Sequence, residues 1–153
     1  MDAIMNLLGD FDPTALLPDI SLVIGFISLF SRLAILAIPA LFLGFGFFFF
    51  FKPVQKPNHS FGYRTYFGMR SQEAWLFVQR LAGFIYLILG GVLALAMAIV
   101  SIVLIGKDTM TLLTTTAICL IVETILTAVT ILGINIFMAF RFDRNGKPRV
   151  FKK

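Results

Sequence analysis

One stretch of the sequence, residues 81–105, contains no charged side chain. An apolar segment of this length spans a bilayer as an α-helix, at about 1.5 Å per residue across a hydrocarbon core of about 30 Å. Two further apolar segments, Ile20–Phe51 and residues 112–140, are at least as long. In total 59% of the residues are hydrophobic and 14% are charged, whereas a soluble domain has about 25% charged residues. The sequence therefore predicts an all-α membrane protein with three transmembrane helices.

The apolar segments divide the chain into a predicted order of parts. An acidic tail, 1–19, precedes a membrane domain, 20–140, with spans at about 28–51, 82–105 and 112–140. A loop, 52–80, joins the first two spans, and a basic tail, 141–153, follows the third. In the first apolar segment Arg32 is expected to mark the edge of the hydrocarbon core, and Pro39, which lacks a backbone donor, to bend the helix. Ser71 is a helix cap by residue type, so an interfacial helix is expected to start there and to enter the bilayer near residues 81–83.

The loop is the one long polar interruption, and it mixes cations with aromatic rings. Between positions 56 and 80 a single acid, Glu73, accompanies four cations, Lys56, Arg64, Arg70 and Arg80. Aromatic rings lie among them, including Phe61, Tyr63, Tyr66, Phe67 and Trp75. Aromatic rings and cationic side chains favour the headgroup layer, where the cations meet lipid phosphates. Membrane lipids with anionic headgroups are therefore expected partners. The positive net charge of +5 does not indicate nucleic acid, because the cations lie beside the apolar spans.

Charge asymmetry predicts the orientation. The loop holds five and the C-terminal tail six of the thirteen Lys and Arg residues. By the positive-inside rule both segments are cytoplasmic and the N-terminus is outside. Cysteine labelling from outside the cell is expected to reach positions near Asp10 and Asp108 but not positions near Asn58 or Asn145. The reverse labelling pattern would contradict this orientation.

The third apolar segment carries a charged residue that is costly in a membrane. Glu123 lies deep in it, and a carboxylate near the bilayer centre costs about 2.5–3.5 kcal/mol on insertion scales. At about 100° per residue four small or polar residues share its face, namely Thr116, Cys119, Thr127 and Thr130. This face is either a proton, ion or headgroup site or a structural feature, in which Glu123 pairs with Arg32 or is a neutral, hydrogen-bonded carboxylic acid. Counted from Lys52 and Arg141, Arg32 and Glu123 have nearly equal expected depths of about 30 and 27 Å.

A stripe of small residues follows one side of the second span: Gly83, Gly90, Ala94, Ala98 and Ser101. Such stripes let membrane helices pack closely. The stripe serves either contacts with the other two spans or self-association into a homo-oligomer.

Other chemistry is not indicated. Catalytic, nucleotide-binding and dinucleotide-binding motifs are absent, so neither an enzyme nor a cofactor is expected. His59 is the only histidine and has no ligand partners at metal spacing, so no metal site is predicted. Cys119 is the only cysteine and is interpreted as a small packing residue, as is Asn135 for helix packing.

The loop resembles the signature of the SdpI family of small bacterial membrane proteins. The matching residues run Asn58-His59-Ser60-Phe61-Gly62-Tyr63-Arg64-Thr65, then Met69-Arg70-Ser71, Glu73-Ala74-Trp75 and Arg80-Leu81-Ala82-Gly83. The resemblance implies a multi-pass protein of the bacterial cytoplasmic membrane. It also implies the best-known function of the family, immunity to a secreted peptide toxin coupled to membrane sequestration of a cytoplasmic regulator.

Two functions follow from the residues and the resemblance together. The first is a non-enzymatic immunity or signalling protein whose loop binds a peptide toxin, a cytoplasmic regulator or lipid phosphates. Its candidate binding residues are Asn58, Gly62, Tyr63, Arg64, Thr65, Arg70, Trp75 and Arg80. Among them Gly62 is expected to supply a turn, Tyr63 and Trp75 to pack against helix ends, and Arg64 to face either the carbonyls of a helix end or an anionic ligand. The second is a lipid- or ion-handling membrane protein that uses Arg64 and Glu123.

Overall fold

Three long helices dominate the computed structural model, which describes residues 20–149. Helix α1 spans Ile20–Phe51, α2 spans Gln72–Val103 and α3 spans Thr109–Arg141, with a short 3-10 helix at Gly68–Arg70. All three long helices are apolar and long enough to cross a membrane. Within residues 20–149 there is no β-strand, only an isolated bridge between Phe142 and Pro148. The prediction of an all-α protein with three membrane helices is confirmed, whereas the acidic tail lies outside the described residues.

Helices α1 and α2 approach each other through glycines. A Cβ at Gly83 would lie 2.4 Å from the backbone nitrogen of Phe50, and one at Gly46 would lie 2.8 Å from the backbone nitrogen of Leu87. Further along, a Cβ at Gly90 would lie 2.9 Å from the Cβ of Phe42. The glycines let the two backbones touch, so Gly83 and Gly90 of the small-residue stripe are used within the chain, against α1, whereas Ala98 of the stripe is exposed.

Helix α3 joins this pair mainly through its second half. Its buried Ile134 and Met138 belong to the same apolar core as Ala74 and Val78 of α2, and Phe142 follows them into that core. A smaller cluster nearer the other end joins one buried residue from each helix: Ile35, Met97 and Cys119.

The two ends of the bundle are set by charged groups. Near one end the guanidinium of Arg32 donates to the backbone carbonyl and hydroxyl of Ser101 and, at 3.2 Å, to the carbonyl of Leu104. At the other end Lys52 directly follows α1, 20 positions from Arg32. Twenty positions of helix measure about 30 Å, the thickness of a hydrocarbon core. We call these the turn end, at Arg32, and the loop end, at Lys52.

Direct pairing between Arg32 and Glu123, one of the two structural alternatives, does not occur. Arg32 binds the end of α2, and the Glu123 carboxyl oxygens accept no hydrogen bond within residues 20–149. Arg32 and Glu123 do not lie at equal depth, because the helices are staggered at the loop end. Helix α1 ends beside Gly83, whereas the C-terminal end of α3 reaches about 9 Å further out, where Phe142 packs on Phe77. Measured from the loop end, Glu123 is therefore less deep than a count from Arg141 suggested, and it lies nearer the middle of the bundle than Arg32 does.

Three local expectations concern α1 and α2. The segment at 72–80, expected as an interfacial helix, forms the first turns of α2 and is continuous with its membrane-spanning part. Pro39 is buried inside α1, and the helix continues through it. Ser71 caps α2 as expected, because its hydroxyl accepts a hydrogen bond from the backbone N–H of Ala74 at 3.0 Å.

Candidate functional site

The loop folds onto the first turns of α2, which stand beyond the end of α1. The indole N–H of Trp75 donates to the carbonyl of Val54 at 2.6 Å. The Gln79 amide accepts from the backbone N–H of Tyr63 and donates to its carbonyl, both at 2.9 Å. Trp75 and Gln79 are both 0% exposed. We call this unit, residues 53–71 with Trp75 and Gln79, the loop cap.

Gly62 and Tyr63 close the loop cap over the bundle. Gly62 has φ of +127°, and a Cβ there would lie 2.6 Å from the Trp75 ring, so a side chain is excluded both by the backbone conformation and by space. The ring of Tyr63 packs against the rings of Phe49 and Tyr86. This burial raises the pKa of the Tyr63 hydroxyl, so the side chain stays neutral at physiological pH. Both residues are therefore anchors.

Thr65 makes a tight turn before the short helix. Its hydroxyl accepts from the backbone N–H of Gly68 at 2.9 Å, and Thr65 is 5% exposed. Asn58 builds another local turn, since its side-chain oxygen accepts from the backbone N–H groups of Ser60 and Phe61, both at 2.9 Å. These two polar residues shape the backbone of the loop.

The segment after α3 closes the loop cap from the other side. The hydroxyl of Ser71 donates to the carbonyl of Gly146 at 2.6 Å. Gly146 lies in a turn with φ of +74°, and a Cβ there would come within 2.9 Å of Arg70 and Ser71. Asp143 shapes this turn by accepting from the backbone N–H groups of Asn145 and Lys147. Residues far apart in the sequence thus complete one folded surface at the loop end.

The cations of the motif remain outside this surface. Arg64 is exposed and has no hydrogen bond or ion pair within residues 20–149. The guanidinium of Arg70 lies 4.5 Å from the centre of the Tyr66 ring and donates to its hydroxyl at 2.8 Å. We call Arg64, Tyr66 and Arg70 the cationic face. Of the candidate binding residues, Arg80 is also exposed but lies farther along α2.

Glu123 forms a second, separate polar position inside the bundle. It is 0% exposed, and neither carboxyl oxygen has a hydrogen-bond partner within residues 20–149. The buried hydroxyl of Thr116 likewise has none. Thr127 and Thr130 lie half-buried on the same face and donate to backbone carbonyls of their own helix at 2.7 Å. Asn135 also bonds within α3, to the carbonyl of Ile131.

A comparison with protein families bears on both the loop cap and the Glu123 face. The family model described as the SdpI/YfhL protein family matches residues 55–139, more than half of the chain. The chain belongs to the SdpI/YfhL family. No curated protein and no solved structure matches it.

The matched part of this SdpI/YfhL protein holds nearly all of the loop cap and the Glu123 face. It begins after α1, so Arg32 and Gly46 lie outside the match. Sequence reasoning missed Gln79, although it is a polar residue one helical turn after Trp75 at the start of an apolar helix. That spacing was the available signal for a second contact with the loop.

Proposed function

We propose that this SdpI/YfhL protein is a non-enzymatic immunity or signalling protein that recognises its partner through the cationic face. The observation that carries the proposal is that some residues of the loop motif are packed and others are exposed. Gly62, Tyr63 and Trp75 are packed inside the loop cap, and Arg64 and Arg70 project from it. A packed support with exposed cations is suited to binding rather than to catalysis.

The chemistry of the cationic face favours an anionic partner. A guanidinium offers a planar fork of donors that binds carboxylate or phosphate groups in two-point contacts. Arg70 is already held by Tyr66, so it loses less conformational freedom on binding. With the loop in the cytoplasm, as the positive-inside rule predicts, the fitting partner is an acidic segment of a cytoplasmic regulator.

A substitution of Arg64 tests this role, because the Arg64 side chain makes no hydrogen bond or ion pair within residues 20–149. We expect Arg64→Gln to leave the melting temperature in detergent unchanged and to lower affinity for the partner by about tenfold, as for one lost charge-assisted contact. Resistance is measured as growth of toxin-sensitive bacteria that express each variant, challenged with culture supernatant of toxin-secreting cells. Lys56→Gln, a change at an exposed cation of the same loop, is the control and should keep resistance. Full resistance of Arg64→Gln would contradict the proposal.

A second candidate function, lipid or ion handling, is favoured by one observation. Burying a carboxyl group without hydrogen bonds is costly, and folded proteins rarely retain such a group without a use. Thr116 adds a third unsatisfied oxygen on the same face. Two unsatisfied polar side chains on one face inside a membrane bundle are suited to brief contact with an ion or a proton.

Glu123→Met separates the structural cost of this carboxyl group from its use. We expect the variant to be more stable by about 1–3 kcal/mol, because an unsatisfied buried polar group is removed. Unfolding in mixed micelles measures this gain. Thr127→Val is the matched control on the same face and should bring no such gain, because the hydroxyl that it removes is already hydrogen-bonded. A loss of stability in Glu123→Met would mean that the carboxyl group makes a stabilising contact. Ion flux into vesicles, if Glu123 carries it, should fall in the same variant.

A further inference from the structure

A groove on the outer face of α2 at the loop end is not used by the loop cap or the Glu123 face. Its volume is about 410 Å³, and it is lined by Leu76, Phe77, Arg80, Leu81 and Phe84. The two phenylalanines form its sides. Phe77 stacks on Phe137 of α3, with ring centres 6.2 Å apart, and Phe84 lies 6.2 Å from the ring of Phe50 of α1. The groove therefore faces away from the bundle core, between the flanks of α1 and α3.

Arg80 is the one charged residue in this lining, and its level in the membrane can be read from its neighbours. It lies one turn before Gly83, which touches the last turn of α1 at Phe49 and Phe50. Arg80 is therefore level with Lys52 at the loop end. From Arg80 to Ser101, which binds Arg32, α2 covers 21 positions, or about 32 Å. This agrees with the distance from Arg32 to Lys52 on α1, so Arg80 stands at the boundary of the hydrocarbon core.

The direction of the helix decides where the guanidinium goes. Side chains on an α-helix lean towards its N-terminus, and the N-terminus of α2 is at the loop end. The Arg80 side chain therefore leans out of the hydrocarbon, over Leu76 and Phe77, and its charged group reaches the headgroup layer. The Arg80 side chain has no hydrogen bond or ion pair within residues 20–149, so the N–H groups of its guanidinium are free to bind a ligand.

We propose that this groove binds one phospholipid with an anionic headgroup. The phosphate pairs with the guanidinium of Arg80, and an acyl chain lies along Leu81 and Phe84 on the hydrocarbon side. An apolar groove with one free cation at the depth of the lipid phosphates is complementary to this ligand in shape, depth and charge. The site is independent of the cationic face, because it contains neither Arg64 nor Arg70.

Native mass spectrometry of the full chain in detergent tests the site by titration with dioleoylphosphatidylglycerol and dioleoylphosphatidylcholine. We expect the natural protein to prefer the anionic lipid by about fivefold, the contribution of one cation near a lipid surface. Arg80→Gln should remove this preference, whereas Arg144→Gln, which loses an exposed arginine in the turn after α3 and outside the groove, should keep it. Phe84→Ala should weaken both lipids equally.

Two measurements on the natural protein complete the test without any variant. Glycerol phosphate, which has the anionic group but no acyl chain, should not displace the lipid, and added sodium chloride should reduce the preference for the anionic lipid. The proposal is overturned if the natural protein binds both lipids equally, or if Arg144→Gln loses the preference as fully as Arg80→Gln. It is also overturned if glycerol phosphate displaces the bound lipid.

Discussion

Gly83→Ala is expected to force α1 and α2 apart and to lower the free energy of unfolding by about 3 kcal/mol. The added Cβ would lie 2.4 Å from the backbone nitrogen of Phe50 and 2.8 Å from the carbonyl carbon of Phe49. Overpacking costs about 1–3 kcal/mol, and the upper value applies here because backbone atoms cannot turn aside as a side chain does. Unfolding of the purified protein in mixed micelles measures the change.

Gly91→Ala provides the matched control for this experiment. Gly91 lies on the same helix, and a Cβ there would meet nothing within 4 Å. This substitution should leave stability unchanged or raise it slightly, because alanine favours the helix more than glycine does. Equal effects of the two substitutions would show that the close contact of α1 and α2 does not hold the bundle together.

Gly62→Ala is expected to detach the loop cap, because it lowers the stability of the folded loop by about 3–5 kcal/mol, while the three long helices remain. Strain at a positive φ costs about 1–3 kcal/mol, and the collision with the Trp75 ring adds a cost of similar size. Trp75 is the only tryptophan in the sequence and is fully buried. Its fluorescence should therefore shift to longer wavelength in the variant, while the helical circular dichroism stays constant.

Two comparisons isolate the contact between Gly62 and Trp75. Gly106→Ala also places alanine at a positive φ, +75°, but in open space, so it should leave the fluorescence unchanged. A double-mutant cycle with Trp75→Leu should show that the combined loss is smaller than the sum of the single losses, because leucine lacks the ring atoms that collide. Additive losses would contradict a direct contact.

Sequence reasoning reached the helices because their signals are local. Apolar length predicted the three spans, and the residue type of Ser71 predicted the cap that it forms on α2. The position of Arg32 at an edge of the core was also readable from its break in the apolar run. Each of these features depends on residues close together in the sequence.

The missed features depend on the lateral arrangement and stagger of the helices, which periodicity does not contain. Arg32 reaches Ser101, 69 positions away, instead of Glu123. Gln79 binds the backbone of Tyr63, and no pattern of side chains in the sequence predicts this contact. In the loop, the turn at Gly62 and the packing of Tyr63 and Trp75 were expected from residue type. The sequence left two alternatives for Arg64, a helix cap or an exposed cation, and only the arrangement in space shows that its side chain has no partner within residues 20–149.

The hydrogen bond between Ser71 and Gly146 has a consequence for the biogenesis of this protein. It joins residues 75 positions apart, on either side of the second and third membrane helices. Insertion of the first two helices alone therefore leaves the loop cap without its contact to the turn at Gly146. The surface at the loop end is finished only after the third helix has crossed the membrane and Gly146 has left the ribosome. A nascent chain arrested before that point should expose the loop to protease, and the full-length chain should protect it.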